Sequence, residues 1–321
     1  VQNEDVDYYA VTCTKGQRLS IEIEAIRLGI MFDSFISLVD AKRFELASSD
    51  DSSLGNQDGL ISVTIPEDGD YYVIVREASY GGNGGSQYRL HVGPFPRPTV
   101  VYPAGGPKGK EIDVSFIGDP TGPINQKLTV QDQTSFRDDL FVTDDQGITP
   151  SPIVFRPSDF ENAMETEPNN TWTEVAPTAL PIAFNGIVET PGDSDFHRFS
   201  AKKGQAWDVH CYARRIKSGL DPVINIYNAK TKANVVGDDD ARMPDCYLRF
   251  TAPEDGDYFL VVRDHLKRGQ ADFVYRVEIT TPRPAVTFVI PRIDRYSQQR
   301  QQIAVPKGNR FATLVNASRY A

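Results

Sequence analysis

Apolar and polar positions alternate along the first hundred residues. Leu19, Ile21, Ile23 and Ala25 are separated by Ser20, Glu22 and Glu24, and Tyr88, Leu90 and Val92 by Arg89 and His91. Successive side chains of a strand point to opposite faces, so this period of two predicts half-buried antiparallel strands. Residues 71–75 and 258–262 are apolar or aromatic throughout, which predicts central strands, and the Glu-Asp-Gly-Asp before each is a turn. No stretch carries the 3.6-residue period of a helix.

The motifs run twice in the same order. Asp5-Val6-Asp7-Tyr8-Tyr9 returns about 188 residues later as Asp193-Ser194-Asp195-Phe196-His197. Lys15-Gly16-Gln17 returns as Lys203-Gly204-Gln205, Asp33 as Asp221, and Asp50-Asp51 as Asp238-Asp239. Pro66-Glu67-Asp68-Gly69-Asp70-Tyr71 reappears as Pro253-Glu254-Asp255-Gly256-Asp257-Tyr258, and Pro96-Arg97-Pro98 as Pro282-Arg283-Pro284. Such a repeat describes two homologous domains. Between them Ile112, Val114 and Phe116 alternate after the turn-rich run 103–109. Beyond Pro284 the run 302–310 and the apolar Phe311, Leu314 and Val315 look like the start of another domain, too short to bury a core, so the polypeptide is expected to continue past Ala321. The expected architecture is all-β: two jelly-roll-like antiparallel β-sandwiches, 1–97 (N-terminally incomplete) and 161–284, joined by a small Ig-like β domain at 98–160, with 285–321 opening a further, truncated domain.

Composition narrows the function. At 321 residues the chain exceeds one ordinary core, and 40% hydrophobic residues with 24 Gly and 22 Pro suit packed sheets and many turns. No run approaches the roughly 20 apolar residues of a membrane span. A net charge of −10 argues against nucleic acid as a partner and suits cations. Of the three cysteines, Cys211 is in phase with Trp207 and Val209, and Cys246 with Leu248 and Phe250, so both face the core of the second copy. The first copy has Ile23 and Gly59 there, so buried free thiols are expected, with a Cys211–Cys246 disulfide as the alternative.

Glu165-Thr166-Glu167-Pro168-Asn169-Asn170, then Gly192-Asp193-Ser194-Asp195-Phe196, then Ala252-Pro253-Glu254-Asp255-Gly256-Asp257-Tyr258 is an ordered set that resembles the bacterial pre-peptidase C-terminal (PPC) domain. The resemblance covers about 120 residues of the second copy and about 95 of the first. The Pro-Ala-Gly-Gly segment between them is similar to Ig-like spacers of large secreted planctomycete-type proteins. The resemblance implies a non-catalytic accessory module that spaces, stabilises or targets a larger secreted, periplasmic or cell-surface protein. A binding module for extracellular polysaccharide or protein is one alternative, and a fragment of a secreted peptidase with its catalytic domain elsewhere is another. In calcium-binding members of the family the Glu-x-Glu-Pro-Asn-Asn and Asp-x-Asp segments supply ligands, which here implies a Ca²⁺ site at Glu165, Glu167, Asn169, Asn170, Asp193 and Asp195.

The residues suit that ion, because Ca²⁺ takes about 6 to 8 oxygen ligands from carboxylates, amides and carbonyls. Read without the resemblance, Pro168-Asn169-Asn170 is a turn and the acids form a solvated edge. The first copy keeps Asp5 and Asp7 without the upstream acidic segment, so its site should be empty or incomplete. Asp50-Asp51 and Asp238-Asp239-Asp240 are a second candidate cation cluster. Tyr8, Tyr9, Tyr80, Tyr227 and Tyr247 are candidates for a binding surface. Arg76 and Arg263 are expected to pair with Glu77 and Asp264 or with the Asp-rich turns. His91, His197, His210 and His265 fall in no nucleophile or zinc motif, so the chain is not read as an enzyme.

Overall fold

A computed structural model describes residues 3–55, 57–132, 137–172, 176–242, 244–283, 285–289, 307–310 and 312–320. The chain is all-β, with two short 3-10 turns at Ile26–Leu28 and Arg214–Ile216. It divides into two compact units, Val1–Thr280 and Thr281–Ala321.

In the first unit the chain begins with β1 (Val6–Cys13), β2 (Arg18–Glu24), β3 (Ser34–Asp40), β4 (Glu45–Ser49), β5 (Leu60–Thr64), β6 (Gly69–Glu77) and β7 (Arg89–Gly93). They form two facing sheets, β1-β6-β3-β4 and β5-β2-β7. The apolar side chains between them, including Ile21, Ile23, Ile36, Leu38, Val73 and Val75, are the core. The middle region contributes β8 (Val100–Tyr102), β9 (Gly105–Pro107), β10 (Glu111–Ile117), β11 (Ile124–Thr129), β12 (Asp138–Leu140), β13 (Thr143–Asp144), β14 (Gly147–Ile148) and β15 (Ile153–Ser158). Its sheets are β11-β10-β8, β12-β15-β9 and β13-β14, around Val114, Phe116, Ile153 and Phe155.

The last part of this unit holds β16 (Asn162–Met164), β17 (Ile182–Ile187), β18 (Asp195–Ala201), β19 (Ala206–Tyr212), β20 (Pro222–Asn228), β21 (Asn234–Asp238), β22 (Tyr247–Thr251), β23 (Gly256–Asp264) and β24 (Val274–Thr280). Its sheets are β18-β23-β20-β21 and β16-β17-β24-β19-β22. The first sheet repeats the order β1-β6-β3-β4, and β24-β19-β22 repeats β7-β2-β5. The expected central strands, β6 and β23, each run between two neighbours. What the second sandwich adds is β17 along the outer edge of β24, followed by β16. In the second unit β25 (Ala285–Val289) pairs with β26 (Asn316–Tyr320); the run 302–306 and Phe311 lie outside the described residues, while Leu314 and Val315 are exposed.

A repeated aspartate shapes both sandwiches. Asp58 accepts the backbone N–H groups of Ala25, Ile26 and Arg27, and Asp245 those of Ala213, Arg214 and Arg215. Each carboxylate thereby satisfies the otherwise unpaired donors that open a 3-10 turn.

The sheets are antiparallel as expected, with two short parallel pairs, β9–β15 and β16–β17, added to them. One expectation is corrected. The strand β2 is not half-buried: Arg18, Ser20 and Glu22 are buried with its apolar residues. The middle region covers that face. Arg18 pairs with Asp119 at 3.1 Å and Asp144 at 2.6 Å, and Glu22 with Arg97 at 2.6 Å and Arg27 at 2.8 Å. A second polar seam joins the middle region to β24, where Glu278 lies 2.8 Å from Arg156 and 3.0 Å from Arg276.

Candidate metal centre

The site forms where the chain leaves β16. Glu165 donates its N–H to the carbonyl of Asn185 at 3.0 Å, and its Oε1 accepts the N–H of Ile187 at 2.7 Å, so the carboxylate is fixed against the end of β17. The N–H of Asn169 donates to Glu167 Oε2 at 3.1 Å, its side-chain amide donates to Glu165 Oε2 at 3.3 Å, and its carbonyl accepts the N–H of Phe196 at 3.1 Å. That last bond ties the acidic segment to β18, whose first residue is Asp195. Oxygens of Glu165, Glu167 and Asp195 lie within 4.8 Å of one another.

Asp195 is fully buried, and neither of its oxygens meets a donor at hydrogen-bonding geometry. The Tyr275 hydroxyl stands beside Asp195, and its well-formed bond is to His197 Nε2 at 2.7 Å, with Glu165 Oε2 at 3.5 Å. Asn169 Oδ1 is likewise buried without a partner. Burial, reinforced by Glu165, pushes the Asp195 carboxyl up to about 9. Burial, reinforced by Glu167 and Glu189, pushes Glu165 up to about 8. Glu167 is also raised, first by its partial burial and then by Asp193 and Glu189.

Buried oxygens that nothing in the chain satisfies, gathered among acids, suit a hard divalent cation that neutralises the carboxylates and fills their lone pairs. Gly186 makes room for them: a Cβ there would run into Glu165 Oε2 and the Tyr275 hydroxyl. Glu165, Glu167, Asn169 and Asp195 would hold such an ion. The structure brings these four together. Asp193 stands beside them, but its oxygens already accept the N–H groups of Glu189 at 2.9 Å and Ser194 at 2.8 Å, and Asn170 is exposed. Sequence reasoning missed Gly186, Glu189 and Tyr275. Only Tyr275 left a signal there, since Tyr88-Arg89 of the first copy returns as Tyr275-Arg276 in the second.

In the first sandwich the matching Asp7 is satisfied internally. The Tyr88 hydroxyl donates to it at 2.6 Å and shares a 2.6 Å bond with Tyr9. Of the second candidate cluster, Asp50 and Asp51 meet Asp33, whose buried Oδ1 has no partner. The corresponding acids are engaged: Asp238 accepts the N–H groups of Ala241 and Tyr247, and Asp239 lies 3.7 Å from His265 Nδ1.

The remaining candidates have structural surroundings. Tyr227 packs on Trp172 at 5.2 Å, and Tyr247 on His210 at 4.8 Å, while Tyr8, Tyr9 and Tyr80 are exposed. The expected pairing of Arg76 with Glu77 is corrected. Arg76 donates to the carbonyls of Glu77 and Ala78 and lies over the rings of Phe35 and Tyr80, because adjacent strand residues face opposite ways. Arg263 likewise bonds the Asp264 carbonyl, and the Asp264 carboxylate pairs with Arg268 at 2.7 Å.

The sequence match to a known family falls on the first sandwich. Residues 5–77 match the bacterial pre-peptidase C-terminal domain. Among solved structures the chain is similar to the pre-peptidase C-terminal domain of a Bacillus anthracis collagenase, at 13% identity over 38% of this chain and 96% of that one, with a TM-score of 0.27. It is also similar to PliG of Aeromonas hydrophila, a periplasmic inhibitor of g-type lysozyme (17% identity, 30% and 84% covered, TM-score 0.22). A third is the tandem CBM51 modules of a family 98 glycoside hydrolase from Streptococcus pneumoniae SP3-BS71 (11% identity, 88% and 82% covered, TM-score 0.24). No curated protein matches the chain. Among the described residues no helix is long and apolar enough to cross a membrane.

Proposed function

We propose that the chain is a non-catalytic accessory module of a larger secreted protein, made of two tandem PPC-type sandwiches, 1–97 and 161–284, with an Ig-like domain at 98–160 between them and 285–321 opening a further domain. In this reading the second sandwich binds Ca²⁺ through Glu165, Glu167, Asn169 and Asp195, with Asp193 beside them. The ion neutralises the acids and clamps the segment after β16 onto β18, which stiffens the join between the middle region and the second sandwich. Support comes from the PPC match over residues 5–77 and from the shared strand order of the two sandwiches. The observation that carries the metal is the fully buried Asp195 carboxylate with both oxygens unpartnered beside Glu165 and Glu167.

Calorimetric titration of chelator-treated protein with Ca²⁺, with Mg²⁺ as the comparison, tests it. One site and a higher Tm in Ca²⁺ are expected, since a ligand that binds only the folded state stabilises it by mass action. Both should be lost in Glu167→Ala and Asp195→Asn. Absence of binding heat and of any Tm shift in the wild type would overturn the metal reading.

A further inference from the structure

We propose that Cys211 and Cys246 are a cross-strand disulfide pair, closed by exchange with a disulfide oxidant while the second sandwich folds. The structure holds both as thiols. The register of β19 on β22, from Ala206 opposite Thr251 to His210 opposite Tyr247, places Cys211 opposite Cys246 at the next step. The N–H of Cys211 donates to the carbonyl of Cys246 at 3.1 Å, so the ladder continues through them. Hydrogen-bonded residues opposite one another in an antiparallel pair have Cα atoms about 5.5 Å apart, inside the roughly 4.4–6.8 Å Cα window of a disulfide, and Cβ atoms about 5.5 Å apart, so closing the bond draws the two strands together by about 1 Å. Both side chains belong to the same core, at 0% and 1% exposure, and the Cys246 Sγ lies 2.9 Å from the Pro222 carbonyl oxygen and 3.2 Å from that of Asp239.

The first sandwich shows what this slot otherwise holds. There the N–H of Ile23 donates to the carbonyl of Gly59 at 3.2 Å, the same ladder bond. A Cβ at Gly59 would meet Ile36 Cγ1 and the Ser49 carbonyl oxygen, each at 2.9 Å, so Ile36 fills the space that a side chain opposite Ile23 would need. The second sandwich fills the slot from both strands with sulfur. Cys13 belongs to the other core and is not a partner.

In the exchange one cysteine thiolate attacks the oxidant's disulfide, forming a mixed disulfide and releasing the oxidant's first thiol. The second thiolate attacks the protein sulfur of the mixed disulfide, forming the Cys211–Cys246 bond and releasing the second thiol. Two electrons and two protons pass from the pair to the oxidant, which is reduced. Burial raises the Cys211 thiol and closes the slot, so exchange belongs to the folding chain. The bridge closes the loop 212–245, which contains β20 and β21.

The test refolds the full chain, reduced and denatured, in a glutathione redox buffer, then counts thiols in denaturant without reductant and maps linked peptides. One free thiol, at Cys13, and a Cys211–Cys246 linked peptide are expected. Reducing the bridge should lower Tm by about 5–10 °C. Cys13→Ser should leave no thiol, and Cys211→Ser should leave two. Three free thiols in refolded wild type, or any link through Cys13, would overturn the pairing.

Discussion

Asp195→Asn separates the stability of the acidic cluster from its use. The wild-type carboxylate has a folded-state value raised to about 9 from an unfolded value of 3.8, with Glu165 raised beside it. A raised carboxyl contributes stability that is complete below its unfolded value and is lost as pH rises through the folded one. The unfolded chain gives up the proton first, at a cost to the fold of ~1.4 kcal/mol per pH unit per retained proton. Two histidines, the buried His197 and the partly buried His210, are held near 4 and oppose this trend below pH 6.5, so the clean window is pH 6.5–8. There calcium-free wild type should lose ~2 kcal/mol through Asp195, a Tm fall on the order of 5 °C, with Glu165 adding to it. Asparagine keeps the shape without the proton, so the variant should melt higher than wild type in chelator at pH 8 by a similar amount and keep only the shallower pH slope that Glu165 supplies. It should also gain nothing from Ca²⁺. Thermal melts at three pH values with and without Ca²⁺ read all of this. An Asn variant that melts lower than wild type in chelator and keeps the Ca²⁺ shift would refute the reasoning.

Gly186→Ala should cost about 1–3 kcal/mol in a melt and abolish the calcium shift, because its methyl displaces Glu165 Oε2 and the Tyr275 hydroxyl. Glu278→Gln should cost about 3–5 kcal/mol, lowering Tm by on the order of 10 °C, because it leaves Arg156 and the fully buried Arg276 without a counter-charge. His210 is held near 4 by burial and then by Arg242, so the fold loses stability as pH falls from 6.5 towards 4. His210→Gln should recover ~2 kcal/mol of the difference between melts at pH 7 and pH 4.5, and an unchanged difference would count against its burial as the cause.

The strands were legible where one sheet face meets the core of its own sandwich. Ile21 and Ile23 on β2, and Tyr258, Leu260 and Val262 on β23, sit where their periodicity or apolar run places them. The opposite face was legible only when water covers it. Arg18, Ser20 and Glu22 read as solvent-facing, yet Asp119 of the middle region, with Arg97 and the Phe95 carbonyl from the segment leading into it, covers them. Arg276 and Glu278 on β24 are buried in the same way by Arg156, Ser158 and Asn162. A strand's own period cannot report a surface supplied by another part of the chain. At the acidic site the sequence showed which residues could be ligands and not which were already occupied: Asp193 and Asp195 belong to one motif, but the backbone satisfies the first and nothing in the chain satisfies the second.

The two sandwiches share a strand order and an Asp-x-Asp at the start of equivalent strands, and they differ chemically through one edge. In the first, Tyr9, Tyr88 and Asp7 form a closed hydrogen-bond chain, so the carboxylate has a donor. In the second, His197 takes the place of Tyr9 and engages the Tyr275 hydroxyl, while β17 and the run after β16 carry Glu165 and Asn169 up to Asp195. The Tyr275 phenol stays beside the aspartate but is shared with His197 and Glu165, and further oxygen acceptors gather around the carboxylate. Trp172, just beyond the acidic segment, packs on Phe196, Tyr227 and Phe259 at 4.9, 5.2 and 5.6 Å, so the segment is anchored to the β18-β23-β20 sheet on its far side as well. An acidic segment held at both ends over an unsatisfied carboxylate is organised before any ion arrives, which lowers the ordering cost of binding one.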